Sequence, residues 1–127
     1  RIHPPRQPQA DARTQVTGLL LTLGVPVKLR GYAYLREAIL VMARNTGQSI
    51  TKELYPAVAA ACNCKKDHVE RSIRSAIQIA WKNRDEQVWG NYFRPEIDGA
   101  IPRPSNGTFI TRLADSLRLS NMDGLQE

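Results

Sequence analysis

Residues 55–81, YPAVAAACNCKKDHVERSIRSAIQIAW, decide the fold. They read as two helices joined by a tight turn. A helix-turn-helix places a small residue in its first helix, against which the second packs closely. About four positions on it needs a residue that tolerates positive φ, and about six further an apolar residue that locks the pair. Ala59, Asn63 and Val69 meet that spacing, with Val58, Cys62 and Cys64 apolar at supporting positions. Ser72 stands where an apolar residue is usual, and Ile73 fills the gap. Many αα-hairpins share this spacing, so the chemistry of the second helix has to carry the rest.

That second helix is predicted over Asp67–Lys82. Asp67 followed by Glu70 is a capping-box pattern. Val69, Ile73, Ala76, Ile77, Ala80 and Trp81 fall in one broad sector at the helical repeat, and Asp67, His68, Arg71, Arg74, Ser75, Gln78 and Lys82 take the other side. The preceding helix, capped by Ser49 or Thr51, buries Leu54, Val58 and Ala61. Pro56 has to lie in its first turn or at a kink.

Outward from this pair the chain reads as further helices. Val16, Leu19, Leu20 and Leu23 stripe a helix over 11–23 that Gly24 and Pro26 end. Tyr32, Leu35, Ala38, Ile39 and Met42 stripe a second over 32–44. Val88, Trp89, Tyr92 and Phe93 suggest a short one, and Phe109, Ile110, Leu113, Ala114 and Leu117 a last one over 106–119. Val25, Val27 and Leu29 alternate, but no second strand exists to pair with them, so an extended connection is expected. The fold class is therefore all-α, a compact bundle of roughly six helices around a helix-turn-helix. Residues 1–10, with Pro at 4, 5 and 8, read as a linker or tail, residues 11–120 as the domain, and residues 121–127 as a frayed end.

The chain has 127 residues, enough for one core. Apolar residues make up 42% and charged residues 24%, a globular balance. No run approaches the length of a membrane span, and no secretory start is present, so a cytoplasmic protein without membrane association is expected. The chain opens on Arg1 rather than Met, as a fragment would. Cys62 and Cys64, one residue apart, neither staple a fold nor form a zinc knuckle, and His3 and His68 do not complete a metal set. Two buried free thiols in a reducing compartment are expected, with no metal and no cofactor.

The formal net charge is +6. Between Lys65 and Arg84 six cations face only Asp67 and Glu70, a local excess of +4. Most of the chain's excess charge thus sits on one helix and its flanks. Arg71 and Arg74 share a face, and an Arg fork bonds both major-groove acceptors of guanine. Lys65 and Lys66 precede the helix, where ammonium groups and free backbone N–H groups both suit phosphate. Glu70 has two readings, a helix cap that touches no base or an acceptor for a cytosine amino group; from the residues alone the cap is favoured.

The segments GVPVKLRGYAYLREAI (24–39), SITKELYP (49–56), HVERSIRSAIQIAW (68–81) and FITRLADSLRL (109–119) resemble the C-terminal effector domain of the stage zero sporulation response regulator of endospore-forming bacteria. The likeness runs in order from about Val16 to Leu119. It implies a domain that binds a short box in double-stranded DNA, as tandem head-to-tail copies, and regulates transcription. It further implies that Glu70, Arg71 and Arg74 read bases, which raises the functional reading of Glu70, and that Ser49, Thr51 and Lys52 lie near phosphate. In the family the segment after the recognition helix helps contact the sigma subunit of RNA polymerase. Asp67-His68 replaces Ser-Arg of the family and Lys65-Lys66 replaces small neutral residues, so phosphate contacts shift by a residue or two. The segment 83–94 shares little beyond Phe93, so polymerase contact does not carry over residue by residue. No phospho-acceptor receiver is found in these residues; the Pro-rich start is then a remnant linker, or the chain is a stand-alone relative.

The reading is a sequence-specific DNA-binding regulator and no enzyme. Base contacts fall to Glu70, Arg71 and Arg74, and phosphate contacts to Ser49, Thr51, Lys52, Lys65, Lys66 and Lys82. The alternative is a helical protein-interaction module that docks through an exposed Trp89, Tyr92 and Phe93. Neither a Ser-His-Asp set, nor a glycine-rich phosphate loop, nor an HExxH helix occurs.

Overall fold

The computed structural model describes residues 11–45 and 47–125, with side chains through Asn121. The Pro-rich stretch 1–10, read as a linker, lies outside the described residues. Six α-helices follow among the described residues, in order: α1 (Ala12–Thr22), α2 (Arg30–Arg44), α3 (Tyr55–Ala61), α4 (Lys66–Lys82), α5 (Glu86–Trp89) and α6 (Asn106–Leu125). Among the described residues there is no strand, and the connection expected to run extended instead turns at Leu23–Gly24 and again at Val27–Lys28. The architecture is the all-α bundle that the apolar periodicity calls for.

Local chemistry sets most of the boundaries. The Asp11 side chain accepts from Thr14 N–H at 2.8 Å and caps α1. At the other end Gly24 takes φ +86, and Val25 N–H closes back onto Leu20 O at 2.9 Å. Pro56 lies in the first turn of α3. It lacks an N–H, and its ring presses on the carbonyl four residues back. The turn before it, Ile50–Leu54, is correspondingly wide: Leu54 N–H reaches Ser49 O, five residues back, at 2.9 Å. The last helix, expected to end near Leu119, continues through Leu125.

Helix α2 lies at the centre and packs on α1, α4 and α6. Leu35, Ala38 and Ile39 of α2, Val69, Ile73 and Ile77 of α4, and Phe109, Ile110 and Leu113 of α6 form the buried core with Val16 and Leu20 of α1. Each large side chain so buried contributes roughly 1.5–3 kcal/mol relative to exposure. At Gly31 the backbones of α2 and α4 come so close that a Cβ there would overlap the Ser72 carbonyl oxygen and lie 2.7 Å from Ala76 Cβ. The small Ser72, which departs from the usual helix-turn-helix pattern, sits at this crossing.

Trp89 and Phe93 are buried and stack with Phe109, the Phe93 and Phe109 centroids lying 5.6 Å apart. The Trp89 Nε1–H donates to Leu23 O at 3.0 Å, and the half-buried Trp81 Nε1–H donates to Ile101 O at 2.8 Å. The Trp89 bond ties α5 to the end of α1, and the Trp81 bond ties the irregular segment 90–105 to α4. The aromatic group read as a docking patch is thus core in two of its three members, and Tyr92 is half-buried. The interaction-module alternative loses its supporting feature.

Candidate nucleic-acid interface

The turn between α3 and α4 has the geometry its sequence demands. Asn63 sits in the left-handed region at φ +56, and Cys64 N–H donates to Ala59 O at 2.9 Å, closing the end of α3. Ala59 and Val69 are buried where the two helices meet. Cys62 and Cys64 flank the turn as free, half-buried thiols, less enclosed than expected, and burial raises the Cys62 thiol above its ordinary value. Ala61, expected inside, is exposed, while Ala59 takes the buried position.

Helix α4 starts at Lys66, one residue before the expected start. Lys65 is the N-cap residue, with extended backbone (φ −92, ψ 147) and no side-chain cap bond. Asp67 therefore lies inside the first turn, where its charge suits the positive end of the helix dipole. The capping box read from Asp67 and Glu70 does not form. A reciprocal cap does exist, but at Ser49: its hydroxyl accepts from Lys52 N–H at 3.2 Å, and its own N–H donates to Glu53 Oε1 at 2.8 Å. Its second member is four residues on because the following turn is wide.

Released from capping, the Glu70 carboxylate pairs with Arg74 Nη2 at 2.8 Å, one turn along α4. The backbone carbonyl of Glu70 accepts from Asn106 Nδ2 at 3.1 Å, and the same amide donates to the Tyr55 hydroxyl at 3.0 Å. So α3, α4 and α6 are joined behind the Glu70–Arg74 edge. Arg71 is exposed and has no ion-pair partner among the described residues. Arg71 and Arg74, three residues apart, point within about 60° of each other around the helix. Ser75 and Lys82 are exposed on the same side, whereas Gln78 is half-buried. His68, expected on the polar side, is half-buried and meets the Tyr34 ring in a T-shaped contact with centroids 5.8 Å apart.

The phosphate candidates fall into separate groups. Thr51 and Lys52 are exposed on the wide turn before α3, with Ser49 half-buried as its cap. Lys65 and Lys66 are exposed at the start of α4, and Lys82 is exposed at its end, about 24 Å further along at the helical rise. Arg84 leaves the basic surface. Its guanidinium stacks 4.4 Å from the Trp81 ring, donates to Trp81 O at 2.8 Å and pairs with Glu86 at 2.8 Å. Of the cations between Lys65 and Arg84, those without a carboxylate partner among the described residues are Lys65, Lys66, Arg71 and Lys82.

Arg103, Tyr55 and Asn106, which the sequence reading passed over as site residues, line a cleft of about 540 Å³ beside Glu70 and Arg74. Arg103 belongs to the irregular segment, where no periodicity marks a face. Asn106 read only as the start of a helix.

The arrangement is a basic helix with one face buried and one face of Arg and Lys open to solvent, preceded by a capped turn that also carries a cation. No described helix is long and apolar enough to cross a membrane. A family model described as "Sporulation initiation factor Spo0A C terminal" matches residues 16–117.

Proposed function

Because the chain belongs to the family of sporulation initiation factor Spo0A C-terminal domains, which are DNA-binding effector domains, we propose that it places α4 in the major groove of a short DNA box and reads it with Arg71, Arg74 and Glu70. The single observation behind this reading is the outward face of α4. Its opposite face is locked into the core by Val69, Ile73 and Ile77, so Arg71 and Arg74 project from a rigid element. An α-helix fits the major groove, and an Arg fork meets both acceptors of a guanine there.

Glu70 has two tasks in this reading. Its carboxylate orients Arg74 in the free protein, and on DNA it accepts from a cytosine amino group. Ser49, Thr51 and Lys52 contact phosphates on one flank of the groove, and Lys65 and Lys66 those near the helix start. Lys82, at the far end of α4, reaches a separate stretch of backbone. Phosphate contacts set position and salt dependence, and base contacts set sequence preference.

One such domain offers few base contacts, so two copies bind neighbouring boxes head to tail, and the bound pair acts on transcription through the sigma subunit of RNA polymerase. Selection of binding sites from random duplex DNA tests the reading. A recurrent short box containing guanine, occupied by two copies when doubled, is the expected result. Recovery of no preferred sequence would reject it.

A further inference from the structure

The cleft beside the reading helix carries unused hydrogen-bond donors. Glu70 and Arg74 line it from α4, and Arg103 and the first turn of α6 line it from the other side of the sequence. Its one carboxylate, on Glu70, is occupied by Arg74. Arg103 is exposed and has no ion-pair partner among the described residues. The backbone N–H groups of Asn106 and Gly107, which open α6, have no acceptor among the described residues, since Ser105 Oγ caps Thr108 N–H instead.

Tyr55 adds an independent sign. Its side chain is only 6% exposed, and it lines the cleft. The hydroxyl oxygen accepts from Asn106, but its own proton has no acceptor among the described residues. That proton is free to meet an acceptor that enters the cleft. Asn106 does not take that proton, because its amide nitrogen donates to Tyr55 and to the Glu70 carbonyl.

A guanidinium, a phenol and two helix-opening amides call for a ligand that brings negative charge and several acceptor oxygens. We propose that this cleft receives one backbone phosphate of the DNA strand whose bases α4 reads, bound by Arg103, the Tyr55 hydroxyl and the Asn106 and Gly107 amides. The inference rests on the DNA-binding reading and deepens it. A phosphate held here lies next to Arg74 and fixes the register in which that side chain meets its base.

The test uses the whole chain, its selected duplex and a random duplex, with affinity measured against salt. Arg103→Ala should weaken both duplexes and flatten the negative slope of log affinity against log salt by about 0.9, the loss of one phosphate contact. Tyr55→Phe should weaken binding without changing that slope, because it removes a hydrogen bond and no charge. Replacing the contacted phosphate by a neutral methylphosphonate should make wild type and Arg103→Ala bind alike. If Arg103→Ala leaves affinity and slope unchanged while Lys66→Ala still flattens the slope, the cleft assignment falls and the DNA reading stands. If the wild-type chain binds no duplex, both fall. If inorganic phosphate alone shifts the Asn106 and Gly107 amide resonances while Arg103→Ala leaves duplex binding unchanged, the cleft is an anion site unrelated to DNA, and the assignment is overturned.

Discussion

The Glu70 carboxylate holds the Arg74 guanidinium at 2.8 Å, one turn apart on the exposed side of α4. Both side chains are about half exposed, at 41% and 52%, so solvent screens the pair and its share of stability is small. Its consequence is orientation: the Arg74 fork is held partly ordered on the open side of α4.

Glu70→Gln should therefore leave thermal stability nearly unchanged, with a loss no larger than roughly 0.5 kcal/mol, typical of exposed helical pairs. Binding to random duplex should tighten slightly as a negative charge leaves the interface. The ratio of selected to random affinity should fall. Calorimetry and fluorescence anisotropy on the two duplexes check both points. A stability loss of about 1 kcal/mol or more, as for a removed helix cap, would contradict this role.

Gly31→Ala tests the crossing of α2 and α4. An ordinary helical glycine gains up to about 1 kcal/mol on becoming Ala. Here the added Cβ meets the Ser72 carbonyl and the Ala76 methyl. The sign reverses, and urea unfolding should show a loss of about 1–3 kcal/mol from overpacking. A stabilised variant would mean that the helices do not approach as described.

The helix-turn-helix was legible because its signals are local. Asn63 is suited to positive φ by its short polar side chain, and the stripe Val69, Ile73, Ile77 needs only the helical period. The cap of α4 was not legible. Its start depends on the backbone of Lys65, and a shift of one residue moves Asp67 from cap to first turn. The reciprocal cap at Ser49 and Glu53 escapes the usual spacing because Pro56 widens the turn between them. His68 looked polar by position, yet the Tyr34 ring, distant in sequence, draws it inward. Arg103 had no signal at all, since only tertiary packing brings segment 90–105 against α4.

Alkaline pH should expose the buried Tyr55 phenol. Burial raises it above its ordinary value of 10.0. The folded protein then keeps a proton that the unfolded chain has released. Its contribution to stability is whole below pH 10 and is lost as pH rises through the folded value. In urea titrations without DNA, the stability of wild type relative to Tyr55→Phe should fall with pH above 10 and stay constant below it. A difference that does not change with pH across that range would contradict the burial of this hydroxyl.

The most direct measurement compares Arg74→Ala and Lys66→Ala on the selected duplex and on random duplex across a range of salt. Arg74→Ala should cost about 1–3 kcal/mol on the selected site, relax the preference at one base pair and change random binding far less. Lys66→Ala should weaken both duplexes alike and flatten the salt dependence. Equal weakening of selected and random duplex by Arg74→Ala would contradict the claim that α4 reads bases through this guanidinium.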